Sequence, residues 1–242
     1  MRTKLILVLG HKGMLGHMVV KYLTKSGYAV QTIDYKFPSV EFESSVRSFK
    51  GDFIINCIGA IPQRTNDFKV NTDVPIWLSH NAPCKVIHPG TDCEMDSDAY
   101  GTSKRIASEY IKLYSTNTKI LKSSIVGPEQ GTANGLMAWL SVQEGEVNGY
   151  TQAIWNGNTT LEWAKQAEQL MLNWGSYDTE TILEGNPISK YDMLHLFAEY
   201  YNKTDLTINP VFAGKNKCLQ GTIKTGFLSH QLNELKQFYD TV

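Results

Sequence analysis

No stretch of this chain is apolar over the length that a membrane crossing needs, and no run of lysine or arginine disturbs its balance of 23 basic and 24 acidic residues. The first absence removes a spanning helix from the expected architecture. The second removes the electrostatic footprint of a nucleic-acid or anionic-membrane binder. The opening residues MRTKLILVLG run straight into a candidate strand. They lack the separate apolar segment and small-residue cleavage site of a signal peptide, so a cytoplasmic protein is expected. Cysteine is sparse as well. Cys57, Cys84, Cys93 and Cys218 form no C-x-x-C pair, which argues against structural zinc and for free thiols. Internal repeats, low-complexity tracts and long linkers are also missing. With 242 residues, 42% of them hydrophobic, the chain can build a full core, and one domain with a small appended lobe is the first expectation.

What is present is organised around Leu5 to Gly16, LILVLGHKGMLG. An apolar run enters a glycine-punctuated turn, and the helical pattern MLGHMVVKYLTK follows at once from Met14 to Lys25. Strand, glycine turn and helix N-terminus together make an anion site. Gly10 serves a sharp reversal, Gly13 lets the backbone approach a pyrophosphate, and Gly16 lets the helix lie close to the strand. The spacing is G-x-x-G-x-x-G, with Lys12, Met14 and Leu15 filling the turn. An accidental glycine cluster lacks the flanking strand and amphipathic helix seen here, so a dinucleotide site is expected.

Tyr28 to Asp34 reads as a second strand ending in a carboxylate that can accept from adenosine ribose hydroxyls and repel an extra phosphate. Lys12 in the turn and Lys36 past the strand can attract that phosphate, although Lys36 taken alone reads as a solvated loop charge. Asp34 therefore points to NAD and Lys12 to NADP, and both remain open. Phe37 to Lys50 is expected to hold a short strand or loop and then a helix from about Ser44. Asp52 to Ile61 is a strand covered on both faces, with Cys57, Ile58 and Gly59 where a cofactor crosses the carboxyl edge of a sheet. A helix over Asn71 to Asn81 and a strand over Lys85 to Pro89 lead to Thr91.

Tyr100 and Lys104 stand four apart and share a helical face if a helix starts near Tyr100. A neighbouring ammonium lowers the pKa of a phenol, which is otherwise ~10, and makes it a usable proton donor. Thr91 offers a hydroxyl to the same substrate oxygen. Glu94, Asp96 and Asp98 between them read as solvated loop charges.

Beyond this pair, Leu121 to Ile125 is expected to be a strand, Gly135 to Gln143 a helix, and Gly145 to Asn158 a loop with Tyr150 and Trp155 free to stack or to pack. Helices are expected at Thr159 to Trp174, capped by Thr159; at Lys190 to Asn202, capped by Ser189; and at Gln231 to Tyr239, capped by Ser229. Short strands fit Thr181 to Glu184 and Leu206 to Ile208. The expected class is α/β: a Rossmann-type doubly wound parallel sheet over residues 1–126, with a small C-terminal α+β substrate lobe over 127–242, the two interleaved.

These motifs resemble those of extended short-chain dehydrogenases/reductases of the dTDP-4-dehydrorhamnose reductase type. The resemblance is carried by Gly10-His11-Lys12-Gly13-Met14-Leu15-Gly16, Asn56-Cys57-Ile58-Gly59-Ala60, Gly90-Thr91-Asp92-Cys93, Tyr100-Gly101-Thr102-Ser103-Lys104 and Ser124-Ile125-Val126-Gly127-Pro128-Glu129. Asn148 to Thr151, Ile154 to Gly157 and Ile188 to Asp192 extend it. It implies NAD or NADP as cofactor, a nucleotide-sugar substrate, and reduction of a 4-keto-6-deoxy sugar in polysaccharide precursor synthesis. Tyr100 would donate the proton, Lys104 would hold the nicotinamide ribose, and Thr91 would orient the carbonyl. Asn71 is either a supporting asparagine or a helix cap. A homodimer through the helices at Asn71–Asn81 and Tyr100–Ser115 is also implied, with no metal. Only Asp92 to Ala99 separates Thr91 from Tyr100, a shorter excursion than the family uses, so a more open site is expected. Asp92-Cys93 replaces the Asp-Glu of dehydratases, and no histidine falls between His88 and His195 to serve the epimerising relatives that pair a cysteine with one. The alternative is a non-catalytic, regulatory member of the same fold.

Overall fold

The computed structural model describes residues 3–131 and 133–240. The elements are β1 (Leu5–Leu9), α1 (Met14–Lys25), β2 (Ala29–Thr32), α2 (Val40–Arg47), β3 (Phe53–Asn56), α3 (Lys69–Asn81), β4 (Lys85–Gly90), α4 (Ala99–Tyr114) and β5 (Thr118–Lys122). They continue as β6 (Ile125–Val126), α5 (Leu136–Ser141), β7 (Glu146–Tyr150), β8 (Ile154–Trp155), β9 (Asn158–Thr159), α6 (Thr160–Leu172), β10 (Glu180–Gly185), β11 (Ile188–Ser189), α7 (Lys190–Tyr200), β12 (Thr207–Val211), β13 (Ile223–Gly226) and α8 (Leu228–Asp240). The chain divides into two compact units: 1–122 with 164–181, and 123–163 with 182–242. Residues 164–181, inside the stretch assigned from sequence to the small lobe, thus return to the first unit.

In the first unit the strands run in the order β5-β4-β3-β1-β2. In the first unit β1 pairs in parallel with both β2 and β3, and β3, β4 and β5 follow in parallel register. This is the α/β, doubly wound architecture expected. The chain passes from β2 over β1 to β3, so the strand order reverses between β1 and β3, where ligands of open α/β sheets bind. Alternation sends Leu7 and Leu9 to the face covered by Phe42, Val46, Val74 and Leu78 of α2 and α3. There Phe37, Phe42 and Trp77 pack edge-on or tilted, with ring centroids 5.4–5.9 Å apart. Helix α1 is tied to α6 by the Tyr22 hydroxyl, which donates to Glu168 over 2.5 Å.

Several boundaries differ from the sequence reading. Helix α2 begins at Val40 rather than near Ser44, because the Ser39 hydroxyl accepts from the Phe42 N–H and starts it there. Strand β3 stops at Asn56 instead of continuing to Ile61, since the chain turns away beside Gly10. The strand expected at Leu121–Ile125 is two elements, β5 and β6.

In the second unit, β6 pairs with β9 and β7 with β12 in parallel, and β8 pairs with β11 antiparallel. Gly145 to Asn158 is therefore strand-forming rather than a loop, a correction whose cause is pairing with partners far along the chain. Trp155 is buried and its indole N–H donates to Ser124 over 2.6 Å, so it packs; Tyr150 is exposed. A polar knot replaces part of the apolar core. The Asn158 amide donates to Ser123 over 2.8 Å, Gln231 donates to Asn158 over 2.9 Å, and Gln231 accepts from the Thr159 N–H over 2.8 Å. Thr159 and Ser189 cap their helices as expected. Ser229 does not, because α8 already starts at Leu228. Strand β13, which pairs in parallel with β10, is an addition to the elements expected from the sequence. Among the described residues no helix is long and apolar enough to cross a membrane.

Candidate active site

The glycine turn sits where β1 and β3 end. Gly10 has φ +73°, and a Cβ there would lie 2.7 Å from the Cys57 carbonyl oxygen and 2.8 Å from the Ile58 nitrogen. A Cβ on Gly16 would meet the Gly10 oxygen at 2.2 Å. Both glycines are thus required by the protein's own backbone. Gly13 differs: a Cβ would meet only the Gly10 oxygen, at 3.4 Å. Among the described residues nothing demands its lack of a side chain, which leaves the space to something arriving from outside. Gly13 is also the N-cap of α1, with no side-chain cap and no acid in the first turn. Met14 and Leu15 open that helix, and its N–H groups keep the partial positive charge that attracts phosphate. The cradle therefore fits a dinucleotide on steric and electrostatic grounds.

Lys12 and Asp34, which read as opposing signals in the sequence, bind each other. Their ion pair is 2.5 Å long, with His11 3.6 Å from the same carboxylate oxygen. The Lys12 ammonium, with smaller help from His11, holds the Asp34 carboxyl below its usual range. Both side chains are largely exposed, so the pair is weak and easily opened.

Asn71 is not a cap. It is buried within α3, where its Oδ1 accepts from the Ala60 N–H over 2.7 Å and its Nδ2 donates to the Ala60 carbonyl over 3.0 Å and to the Ser103 hydroxyl over 3.2 Å. One amide thus fastens the loop Cys57-Ile58-Gly59-Ala60 to α4.

On α4, Asp98 caps the helix by accepting from the Gly101 N–H over 2.6 Å. Tyr100 follows in the first turn, its ring edge-on to Phe68 at 5.6 Å. Lys104, one turn on, is 7% exposed and its ammonium donates to the Pro89 carbonyl over 3.3 Å. Burial pushes the Lys104 pKa down, opposed by Glu94, Cys57 and Cys93, so the amine lies among groups from the ends of β3 and β4. The phenol does not follow the expected pattern. Burial raises the Tyr100 pKa first, and the neighbouring Cys93, Asp92, Glu94 and Asp98 add to the rise.

That preceding segment is folded rather than open. Asp92–Met95 is a short 3-10 turn closed by a capping box. The Thr91 hydroxyl accepts from the Cys93 N–H over 3.3 Å and gives its proton to Asp92 over 3.0 Å. Glu94 reaches back to the Thr91 N–H over 3.0 Å. Glu94 is only 6% exposed, which corrects its reading as a solvated charge. The signal that finds it is Thr-x-x-Glu itself, the capping-box spacing. The structure thus brings Thr91, Cys93, Glu94, Tyr100 and Lys104 around one turn of the first unit, and sets Gly10 to Gly16 beside Cys57 and Ile58. His195 lies on α7 in the second unit, exposed and edge-on to Tyr191.

No protein-family model matches the sequence, and no curated protein matches it. Solved structures share its fold over nearly the whole length. dTDP-4-dehydrorhamnose reductase from Bacillus anthracis, in complex with NADP, superposes with a TM-score of 0.74 at 14% identity, covering all of both chains. A dTDP-4-dehydrorhamnose reductase from Clostridium acetobutylicum gives 0.72 at 16%, over 98% of this chain and 99% of that one. dTDP-glucose 4,6-dehydratase from Bacillus anthracis, in complex with NAD, gives 0.71 at 14%, over 99% and 97%. At these identities the likeness is one of fold.

Proposed function

We propose that this protein is an NAD(P)-dependent short-chain reductase of a nucleotide-linked 4-keto-6-deoxy sugar, of the dTDP-4-dehydrorhamnose reductase kind, acting in polysaccharide precursor synthesis. The observation that carries the reading is the buried Lys104 ammonium one helical turn from Tyr100, beside a glycine cradle whose Gly13 has no internal reason to be glycine. The bound nicotinamide would supply hydride to the keto carbon. The protein does the rest. The N-terminal amides of α1 and the Gly10–Gly16 turn hold the pyrophosphate, Lys12 and Asp34 face the adenosine ribose, and Cys57, Ile58 and Gly59 line the crossing to the nicotinamide. Lys104 exchanges the Pro89 carbonyl for the nicotinamide ribose, Tyr100 protonates the developing alkoxide, and Thr91 turns its proton from Asp92 to the carbonyl oxygen. Since the Lys12–Asp34 pair opens easily, either nicotinamide cofactor suits this end of the cradle.

The second unit serves as the nucleotide-sugar lobe in this reading. A homodimer through α3 and α4 is supported by Ile106, Leu113 and Tyr114, which are 46%, 72% and 64% exposed. Four free cysteines suit the cytoplasm. The test is to incubate the protein with NADH and with NADPH against TDP-, UDP- and GDP-linked 4-keto sugars and to follow loss of reduced-nicotinamide absorbance. A regulatory, non-catalytic member of the fold is the second reading, favoured by the Thr91 proton being engaged by Asp92. Tight cofactor binding with no turnover would select it.

A further inference from the structure

Glu94 carries a charge into a nearly closed space, and a buried carboxylate survives there only if it is paired and hydrogen-bonded. Both oxygens are used. Oε1 accepts the Thr91 N–H over 3.0 Å, and Oε2 lies 2.8 Å from the Lys122 ammonium. Lys122 stands at the end of β5, directly across the ladder from Gly90, the residue before Thr91. A Cβ on Gly90 would lie 3.0 Å from both Glu94 Oε1 and the Lys122 Cβ, so the bare backbone there makes room for the bridge. Lys122 is itself held by Glu180 at 2.7 Å, and Glu180 by Lys112 at 3.5 Å. The Arg105 guanidinium donates to the carbonyls of Glu94 and Asp96 over 2.8 and 3.1 Å, fixing the other side of the turn to α4. None of these groups is among the residues that would touch cofactor or substrate.

Building on the reductase reading above, we propose that Glu94, clamped by Lys122, is the positioning residue that fixes Thr91 and its 3-10 turn against Tyr100. The clamp runs from the end of β5 through one carboxylate to the Thr91 backbone, so sheet register sets where the Thr91 hydroxyl stands. Lys122→Met strands a buried carboxylate, whereas Lys122→Arg keeps the pair. Glu94→Gln keeps an acceptor for the Thr91 N–H and leaves Lys122 with Glu180.

Backbone hydrogen exchange of Thr91–Met95, compared with α1 in the same molecule, reads the clamp without any substrate. Lys122→Met is expected to speed exchange of the turn about 10-fold or more with α1 unchanged, Lys122→Arg to stay near wild type, and Glu94→Gln/Lys122→Met to exchange more slowly than Lys122→Met alone. In turnover, Lys122→Met should lower kcat about 10-fold while cofactor affinity stays within about twofold. If Lys122→Met does not fold, Glu94→Gln alone should still speed exchange of the turn severalfold. Unchanged exchange in the variants that fold, or Lys122→Arg behaving like Lys122→Met, overturns the clamp. Exchange changes without the kcat loss in an active enzyme overturn its positioning role. A wild type without turnover sinks the reductase reading instead, and exchange still decides whether the clamp exists.

Discussion

Replacing Asn71 by alanine removes a single amide that satisfies both polar groups of the Ala60 backbone and the Ser103 hydroxyl. Asn71 is about 1% exposed and Ala60 half-buried, so solvent only partly replaces these bonds. Each buried polar group left unpaired costs about 1–3 kcal/mol, which puts an upper range of about 2–6 kcal/mol on the two groups of the half-buried Ala60. A water entering the space left by the amide brings the figure toward the lower end. Against a total of about 5–15 kcal/mol for a typical domain, this is a large share. It corresponds to a fall in Tm on the order of 10 °C. Ser103→Ala is the control. It removes the weakest of the three partners, so its cost should be nearer 1 kcal/mol. Because the loosened segment is Cys57 to Ala60, Asn71→Ala should also weaken NADH and NADPH binding about 10-fold or more. Urea unfolding and fluorescence titration with both dinucleotides measure the two effects. A stability change below about 0.5 kcal/mol, together with unaltered dinucleotide affinity, would refute the view that this amide fastens the loop.

Gly16→Ala should abolish dinucleotide binding through the 2.2 Å approach to the Gly10 oxygen, whereas Gly13→Ala should leave thermal stability near wild type and cut affinity alone; matched melting and titration curves separate them. Asp34→Asn releases Lys12 and should shift the ratio of NADPH to NADH affinity severalfold toward NADPH, while Lys12→Ala shifts it the other way, as read by parallel titrations. The pH dependence follows from opposite displacements. The Tyr100 phenol, raised by burial and by the neighbouring acids, keeps its proton above its usual range, while Lys104, lowered by burial, loses its proton below the ordinary lysine value. The alkaline fall in kcat/KM should therefore belong to Lys104 and move to higher pH in Lys104→Arg, and an unmoved limb would contradict this.

The parts of the fold legible in the sequence are those whose cause is local. Helix α1 has the bounds its sequence predicts because its start is a glycine turn and its apolar face is continuous. Helix α2 starts earlier than the apolar pattern predicts because Ser39 sets its start. The strands between Glu146 and Thr159 leave no local signal for another reason. Each is short, and each owes its existence to a distant partner, as Glu146 to Tyr150 does to Thr207–Val211. The same division runs through the site. The glycine spacing and the Tyr100–Lys104 interval are local chemistry and stood out. The roles of Asn71 and Glu94 depend on what α3 and β5 bring beside them, and Lys12 and Asp34 become an ion pair only where the turn after β1 meets the end of β2.

Hydride transfer with a tyrosine proton donor is tested most directly by comparing wild type with Tyr100→Phe in the reduction of a nucleotide-linked 4-keto sugar by NADH or NADPH. Wild type should consume the reduced cofactor in step with sugar, and the variant should bind cofactor equally well yet turn over about 100-fold more slowly or worse. Equal rates for the two, or no consumption by wild type with any of the TDP-, UDP- or GDP-linked sugars, would contradict it.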